Sequence, residues 1–151
     1  MRYQERDLPP WAPQLLISAR LIQGGLMLST IVYGVVVYTV ASSFESAPSD
    51  PDGLRMLLSI AGLGACFIAS IANRVLLKPE RVVNRRHPDE TRGRVLIGFL
   101  ITWALAEVCA ICGFILAFML GDPSLYVNFG VIAFLTILAH PVTAGRLKTF
   151  S

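Results

Sequence analysis

The sequence predicts an all-α integral membrane protein with four transmembrane helices and both termini in the cytoplasm. Of its 151 residues 54% are apolar and only 15% are charged, whereas soluble domains average roughly 25% charged residues. The apolar residues form four nearly charge-free blocks. The basic residues concentrate in every second segment between or beside those blocks. A chain of this length is expected to form a single domain, here a membrane domain.

The four apolar blocks predict the helices, which we place at about 15–40, 54–77, 95–120 and 125–142. A helix needs about 20 apolar residues to cross a bilayer. The first three blocks meet this length, and the fourth is short but adequate. The first block is longer than the apolar core of a signal peptide, which has about 7–15 residues, so we expect it to remain as an uncleaved anchor.

The distribution of basic residues predicts the topology. All Lys and Arg residues except Arg55 lie in or beside the N-terminal segment, the loop 78–94 and the C-terminal segment. Cytoplasmic loops are enriched in Lys and Arg, so both termini are predicted to be cytoplasmic, as in a multi-pass protein of a bacterial inner (plasma) membrane. The net charge of +3 is thereby explained by topology, and no nucleic-acid partner is predicted.

The connections are predicted from their turn-forming residues. In the loop 78–94, Pro79 and Pro88 are expected to interrupt helical structure because proline lacks a backbone N–H and clashes with the preceding turn. The sequence GDPS at 121–124 predicts a tight turn. The third and fourth helices should therefore be antiparallel neighbours.

Small residues predict where the helices pack, because close approach of backbones drives helix association in lipid. The second and third helices each carry a series of such residues and are predicted to form the packed centre. The predicted packing positions are Ala61, Gly62, Gly64, Ala65 and Ala69 in the second helix, and Gly98, Thr102, Ala106 and Gly113 in the third.

Glu107 is the candidate functional residue, since it lies near the middle of the third apolar block. A charged side chain at that depth costs ~2.5–3.5 kcal/mol on insertion scales. Two interpretations follow. Glu107 is a proton-binding carboxylate, or it is a protonated carboxyl that only forms a structural hydrogen bond with Ser29, Thr30 or Tyr33.

Residues 103–113, WALAEVCAICG, resemble the carboxylate-bearing helix of subunit c, the proteolipid of rotary ATP synthases. Arg86, Pro88 and Asp89 resemble that family's polar-loop motif, and the similarity covers roughly 57–120, the helical hairpin of the family. The resemblance implies that Glu107 binds and translocates protons within a larger assembly. It also implies that Arg86, Pro88 and Asp89 contact a partner subunit.

No catalytic residue, metal site or cofactor is predicted. Cys109 and Cys112 form a C-x-x-C within a helix, and Cys66 lies in the neighbouring one; we interpret all three as small apolar core residues. An enzyme is therefore not expected. The alternative to proton transport is a non-transporting scaffold, assembly factor or accessory subunit. The predicted partners are the lipid bilayer and either other membrane subunits or further copies of this chain.

Overall fold

The computed structural model describes residues 8–40, 51–84 and 87–150. These residues form helices and connecting segments, with no strand among them. The all-α prediction is thus confirmed. The elements in chain order are α1 (Ala12–Val40), α2 (Pro51–Leu76), α3 (Pro79–Val82), α4 (Pro88–Leu120), α5 (Pro123–Ala139) and α6 (Ala144–Lys148).

Three of these helices, α1, α2 and α4, are long and apolar enough to cross a membrane. Their outer surfaces carry many exposed large apolar side chains, among them Leu21, Met56, Phe67 and Ile97. Soluble monomers rarely expose contiguous apolar surface on this scale. The helices therefore have the character expected of membrane spans. The 17-residue helix α5 is apolar but shorter.

The prolines of the loop 78–94 begin helices instead of interrupting them. Pro79 starts α3 and Pro88 starts α4, each at a first-turn position. Proline is favoured there because the first backbone N–H groups of a helix have no intrahelical partner. As a result α4 begins seven residues before the predicted start at 95, and at about 1.5 Å per residue its 33 residues extend roughly 50 Å.

Helix α4 is the centre of the bundle. It packs against α1, α2 and α5, whereas the principal contacts of α2 are with α4. Helices α4 and α5 are joined at Gly121, whose φ of 63° is left-handed and whose N–H bonds to the Ala117 carbonyl oxygen. This connection lets α5 fold back along α4, and the two helices are antiparallel neighbours.

The apolar core consists of two clusters. The first contains Trp11, Leu15, Val82, Phe99 and Leu147 together with further buried residues. It therefore joins the start of α1, the short helix α3, the first half of α4, and α6 at the same end of the bundle. The second cluster lies around Cys109, Leu116, Tyr126 and Phe129 and occupies the opposite half.

Candidate functional site

Glu107 lies at the contact between α4 and α1, where its carboxyl group is partly buried. Ser29 Oγ is 2.8 Å from Glu107 Oε1, and Tyr33 Oη is 3.4 Å from the same oxygen. Ser29 and Tyr33 are four residues apart, so they lie on one face of α1. Of the three partners expected from the sequence, two contact Glu107, whereas Thr30 donates to the Leu26 carbonyl oxygen.

The hydrogen bonding around Ser29 depends on the protonation state of Glu107. Ser29 Oγ lies 2.8 Å from Glu107 Oε1 and also 2.8 Å from the Leu26 carbonyl oxygen. A hydroxyl has one proton to donate, while a peptide oxygen only accepts. If Ser29 donates to Leu26, the short contact with Glu107 is a hydrogen bond only when a protonated carboxyl donates to Ser29. If Ser29 donates to Glu107 instead, the Leu26 carbonyl oxygen still accepts from Thr30 Oγ1, so the geometry is compatible with either protonation state of Glu107.

The residues that flank Glu107 within α4 are apolar. Ala106 belongs to the first core cluster, and Cys109 and Ala110 belong to the second. Glu107 is thus positioned at the junction of the two clusters. Within residues 8–40, 51–84 and 87–150, Arg94 and Glu90 form an exposed ion pair at 3.6 Å, and Glu107 forms none. No cation among those residues compensates a negative charge on Glu107.

The predicted partner-contact loop lies far from Glu107. Pro88 and Asp89 are exposed in the first turn of α4, and Arg86 lies outside the described residues. Pro88 precedes Glu107 by 19 residues, which corresponds to about 28 Å along a helix. The acidic residues Asp89 and Glu90 in the first turn favour the helix, since its N-terminus carries partial positive charge.

The small residues of α2 that face α4 are partly those expected. Gly62, Ala65 and Ala69 are buried, and a Cβ atom at Gly62 would lie 3.1 Å from Cys112 Cβ. Ala61 is exposed, and a Cβ atom at Gly64 would meet no atom within 4 Å. The packed stripe of α2 thus excludes Ala61 and Gly64.

The small residues predicted in α4 are all buried: Gly98, Thr102, Ala106 and Gly113. Their neighbours differ. A Cβ atom at Gly98 would lie 2.7 Å from Leu77 Cδ2, whereas one at Gly113 would lie 2.4 Å from Phe129 Cβ. One end of the α4 series therefore contacts the residues that end α2, and the other end contacts α5.

A second polar cluster was missed at the sequence level. Asn73 is 1% exposed; its Nδ2 donates to Thr102 Oγ1 at 3.3 Å, and its Oδ1 accepts from Arg146 Nη2. Burial lowers the pKa of the Arg146 guanidinium from its usual value. The one signal in the sequence was an Asn in an apolar helix, because a buried amide needs a hydrogen-bonding partner.

The cysteine contact also differs from the pattern in the sequence. Cys66 of α2 and Cys109 of α4 belong to the same core cluster, whereas the sequence drew attention to Cys109 and Cys112. Cys109 Sγ also lies 3.7 Å from the Phe129 carbonyl oxygen. All three thiols are free and buried, which fits a packing role.

Comparisons with known protein families, curated proteins and solved structures give no match to this chain. The residues around Glu107 and the arrangement of the helices are what bear on function. Two features of that site matter most. The carboxyl group contacts hydroxyl groups of α1, and it lies between two apolar clusters of the bundle.

Proposed function

We propose that this chain is a four-span membrane protein in which Glu107 binds and releases a proton as part of a larger assembly, in the manner of subunit c. The observation that carries the proposal is the short contact of Glu107 with Ser29, whose proton also has the Leu26 carbonyl oxygen as an acceptor. A hydroxyl can donate to an ionised carboxyl or accept from a protonated one, so a change in the protonation of Glu107 would change the α1–α4 contact.

The fourth span is supported by the length and position of α5. Its 17 residues correspond to about 25 Å, which is the short end of what crosses a bilayer. Gln23 Nε2 of α1 donates to the Ile137 carbonyl oxygen near the end of α5, and Tyr126 Oη near its start donates to the Thr30 carbonyl oxygen. Helix α5 thus runs beside α1 over most of its own length.

The common cytoplasmic location of both termini is supported by the first core cluster. Trp11 near the start of α1 and Leu147 in α6 belong to it, as expected when four helices alternate in direction. The basic residues concentrate at this same end, which fits the inner surface of a bacterial plasma membrane.

Proton release requires that the charged carboxylate be compensated. Because the described residues place no cation beside Glu107, the compensating charge would come from a partner subunit or from water. Helix α1 covers Glu107 through Ser29 and Tyr33. A displacement of α1 would therefore expose the carboxyl group to a partner.

The direct test is carbodiimide labelling, because carbodiimides react with protonated buried carboxyls. We expect Glu107 to be modified in the purified protein, with labelling that falls as the pH rises. Glu107→Gln should abolish it. The matched control Glu90→Gln removes an exposed carboxyl of the same helix and should leave it unchanged. Absence of labelling across the pH range would contradict a proton-binding Glu107.

Transport is tested separately, by proton flux into membrane vesicles that contain the native assembly. Glu107→Gln should keep the fold, because the amide is nearly isosteric with the protonated carboxyl, and it should abolish flux. Glu90→Gln should keep both fold and flux. Unchanged flux in Glu107→Gln would refute the transport role.

The second candidate is a scaffold or accessory subunit in which Glu107 acts as a hydrogen-bonded clasp. It is favoured by one observation: the polar partners of Glu107 are supplied by α1 of the same chain. Interhelical hydrogen bonds in membranes contribute on average about 0.6 kcal/mol, so Ser29→Ala would then lower stability by that order. A single copy bound among unlike subunits in mild detergent would favour this role, and a closed ring of identical copies would favour the first.

A further inference from the structure

Arg146, in the C-terminal helix α6, has a guanidinium group held against the bundle by two contacts. Its Nη2 donates to Asn73 Oδ1 of α2, and its Cζ lies 5.2 Å from the centroid of the Phe99 ring of α4. Asn73 is 1% exposed and Phe99 is fully buried. The cation is thus fixed against two immobile partners.

The partners of Arg146 are themselves fixed by further bonds. Asn73 donates to Thr102 Oγ1, and Thr102 Oγ1 donates to the Gly98 carbonyl oxygen at 2.9 Å. On the side of α6, the neighbouring Leu147 is fully buried in the first core cluster. The orientation of the guanidinium group is therefore set before any ligand binds, which reduces the entropy cost of binding.

The positive charge of Arg146 has no negative partner among the described residues. Their ion pair is between Arg94 and Glu90, and the hydrogen-bond acceptor of the guanidinium is the neutral amide of Asn73. No buried side-chain nitrogen in the described part of the chain lacks a hydrogen-bond partner. Arg146 is partly exposed, so its guanidinium group is accessible from the surface.

The location of Arg146 fits an interface between water and lipid. Phe99, which its guanidinium covers, lies four residues, or about 6 Å, beyond the start of the apolar block at Val95. This is the end of the bundle where basic residues concentrate. Under the proposed topology it faces the anionic leaflet of the cytoplasmic side.

We propose that Arg146 binds a phosphate group at this end of the bundle, and that the phosphate is that of an anionic lipid headgroup. The planar fork of a guanidinium matches phosphate oxygens in pairs, and basic pockets between transmembrane helices bind anionic lipids on the cytoplasmic side. The phosphate supplies the missing negative charge. This site requires the membrane placement of the chain but is independent of the role of Glu107.

The test measures ligand binding by the full chain in a mild non-ionic detergent, through the rise in melting temperature on ligand addition. The probes are dioleoyl phosphatidylglycerol, dioleoyl phosphatidylcholine and inorganic phosphate. In the wild type we expect saturable binding of phosphatidylglycerol and weaker binding of phosphatidylcholine. Arg146→Lys keeps the charge but not the fork, and should weaken phosphatidylglycerol binding about tenfold, the loss of one charge-assisted contact.

The matched control is Arg74→Lys, because Arg74 is exposed at the same end and adjoins Asn73. It should bind phosphatidylglycerol like the wild type, and so should Glu107→Gln, which separates this result from the proton site. Equal binding by wild type and Arg146→Lys would overturn the proposal, as would equal affinity of the wild type for the two lipids. A melting curve recorded without lipid identifies any variant that fails to fold. If Arg146→Lys does not fold, the comparison of phosphatidylglycerol with phosphatidylcholine on the wild type tests the proposal.

The inorganic phosphate arm distinguishes the two sources of the phosphate group. Binding of inorganic phosphate that depends on Arg146, without lipid binding, would retain the site and identify a soluble phosphate as its ligand. Binding of neither probe would overturn it.

Discussion

Gly113 offers the sharpest test of how α4 packs against α5. A Cβ atom at this position would lie 2.4 Å from Phe129 Cβ and 2.9 Å from Phe129 Cγ. The Phe129 Cβ is bonded to the α5 backbone, so a rotation of the ring does not move it away. Ordinary contact begins at 3.4 Å, and Gly113→Ala therefore requires that α4 and α5 separate by about 1 Å at this level.

Gly64→Ala is the matched control, because a Cβ atom there meets nothing within 4 Å. Both substitutions gain about 0.5–1 kcal/mol from replacing a glycine inside a helix. Only Gly113→Ala also suffers overpacking, which typically costs about 1–3 kcal/mol. We expect Gly64→Ala to be neutral or slightly stabilising, and Gly113→Ala to be about 1–3 kcal/mol less stable than Gly64→Ala.

The assay is unfolding in mixed micelles, with increasing denaturing detergent, followed by the fluorescence of the two buried tryptophans, Trp11 and Trp103. The difference between the two variants isolates the steric cost, since their helix-propensity gains cancel. Equal stabilities would show that Gly113 does not contact Phe129 as described, and the α4–α5 packing would then be wrong.

Three further predictions concern topology, packing and a helix cap. Arg86→Cys should react with a membrane-impermeant thiol reagent from the cytoplasmic side alone, above a low background since the native cysteines are buried; labelling from outside would refute the topology. Ala65→Leu should lower the free energy of unfolding more than Leu26→Ala, because Ala65 is 8% exposed at the α2–α4 contact; the reverse order would show that the packing stripe is misassigned. Asp122 caps the N-terminus of α5, where its side chain accepts from the Ser124 N–H at 2.9 Å. Hydrogen bonds from Ser124 hold the pKa of Asp122 below its usual value. The cap therefore stabilises the protein above the unfolded pKa of about 3.9, and this stabilisation is lost as the pH falls through the lower folded pKa. Asp122→Ala should therefore cost about 0.5–2 kcal/mol at neutral pH and less in strong acid, as measured by thermal unfolding; a pH-independent cost would contradict the cap.

The long helices were predictable because the length of each apolar block matches the length of helix that crosses a bilayer. The same reasoning could not place the start of α4, since hydropathy marks where lipid begins and not where the helix begins. Pro88, Asp89 and Glu90 form a favourable first turn outside the apolar block. The sequence alone does not distinguish a proline that begins a helix from one that interrupts it. The difference lies in the conformation of the residues that precede the proline.

The packing stripe of α2 shows a second limit. Ala61, Ala65 and Ala69 are spaced by four residues, and at 3.6 residues per turn each such step drifts about 40° around the helix. Gly62, Ala65 and Ala69 combine steps of three and four, which keeps them on one stripe. This is why Gly62 is buried while Ala61 is exposed.

Some contacts of the candidate functional residues could be predicted from the sequence, and others could not. Ser29 and Tyr33 could be named as partners of Glu107 because their hydroxyl groups lie in the first apolar block at a depth similar to that of Glu107. Asn73 and Arg146 are separated by 73 residues along the chain. Their contact requires that α6 pack against the end of the bundle where α1 and α4 begin. No local pattern in the sequence reports such a fold-back, since it is fixed by the burial of Leu147 and Val142 in the first core cluster.

The position of Glu107 between the two core clusters explains how this bundle tolerates an ionisable group at mid-depth. The extensive α2–α4 and α4–α5 contacts include small and apolar residues such as Ala69, Gly98 and Phe129. Among the described residues, the hydrogen-bond partners of Glu107 are Ser29 and Tyr33 of α1. Under the proposed role, a change in the protonation of Glu107 acts first on the contact between α1 and α4. We expect α1 to be the element that responds to the proton, while α2, α4 and α5 remain its fixed support.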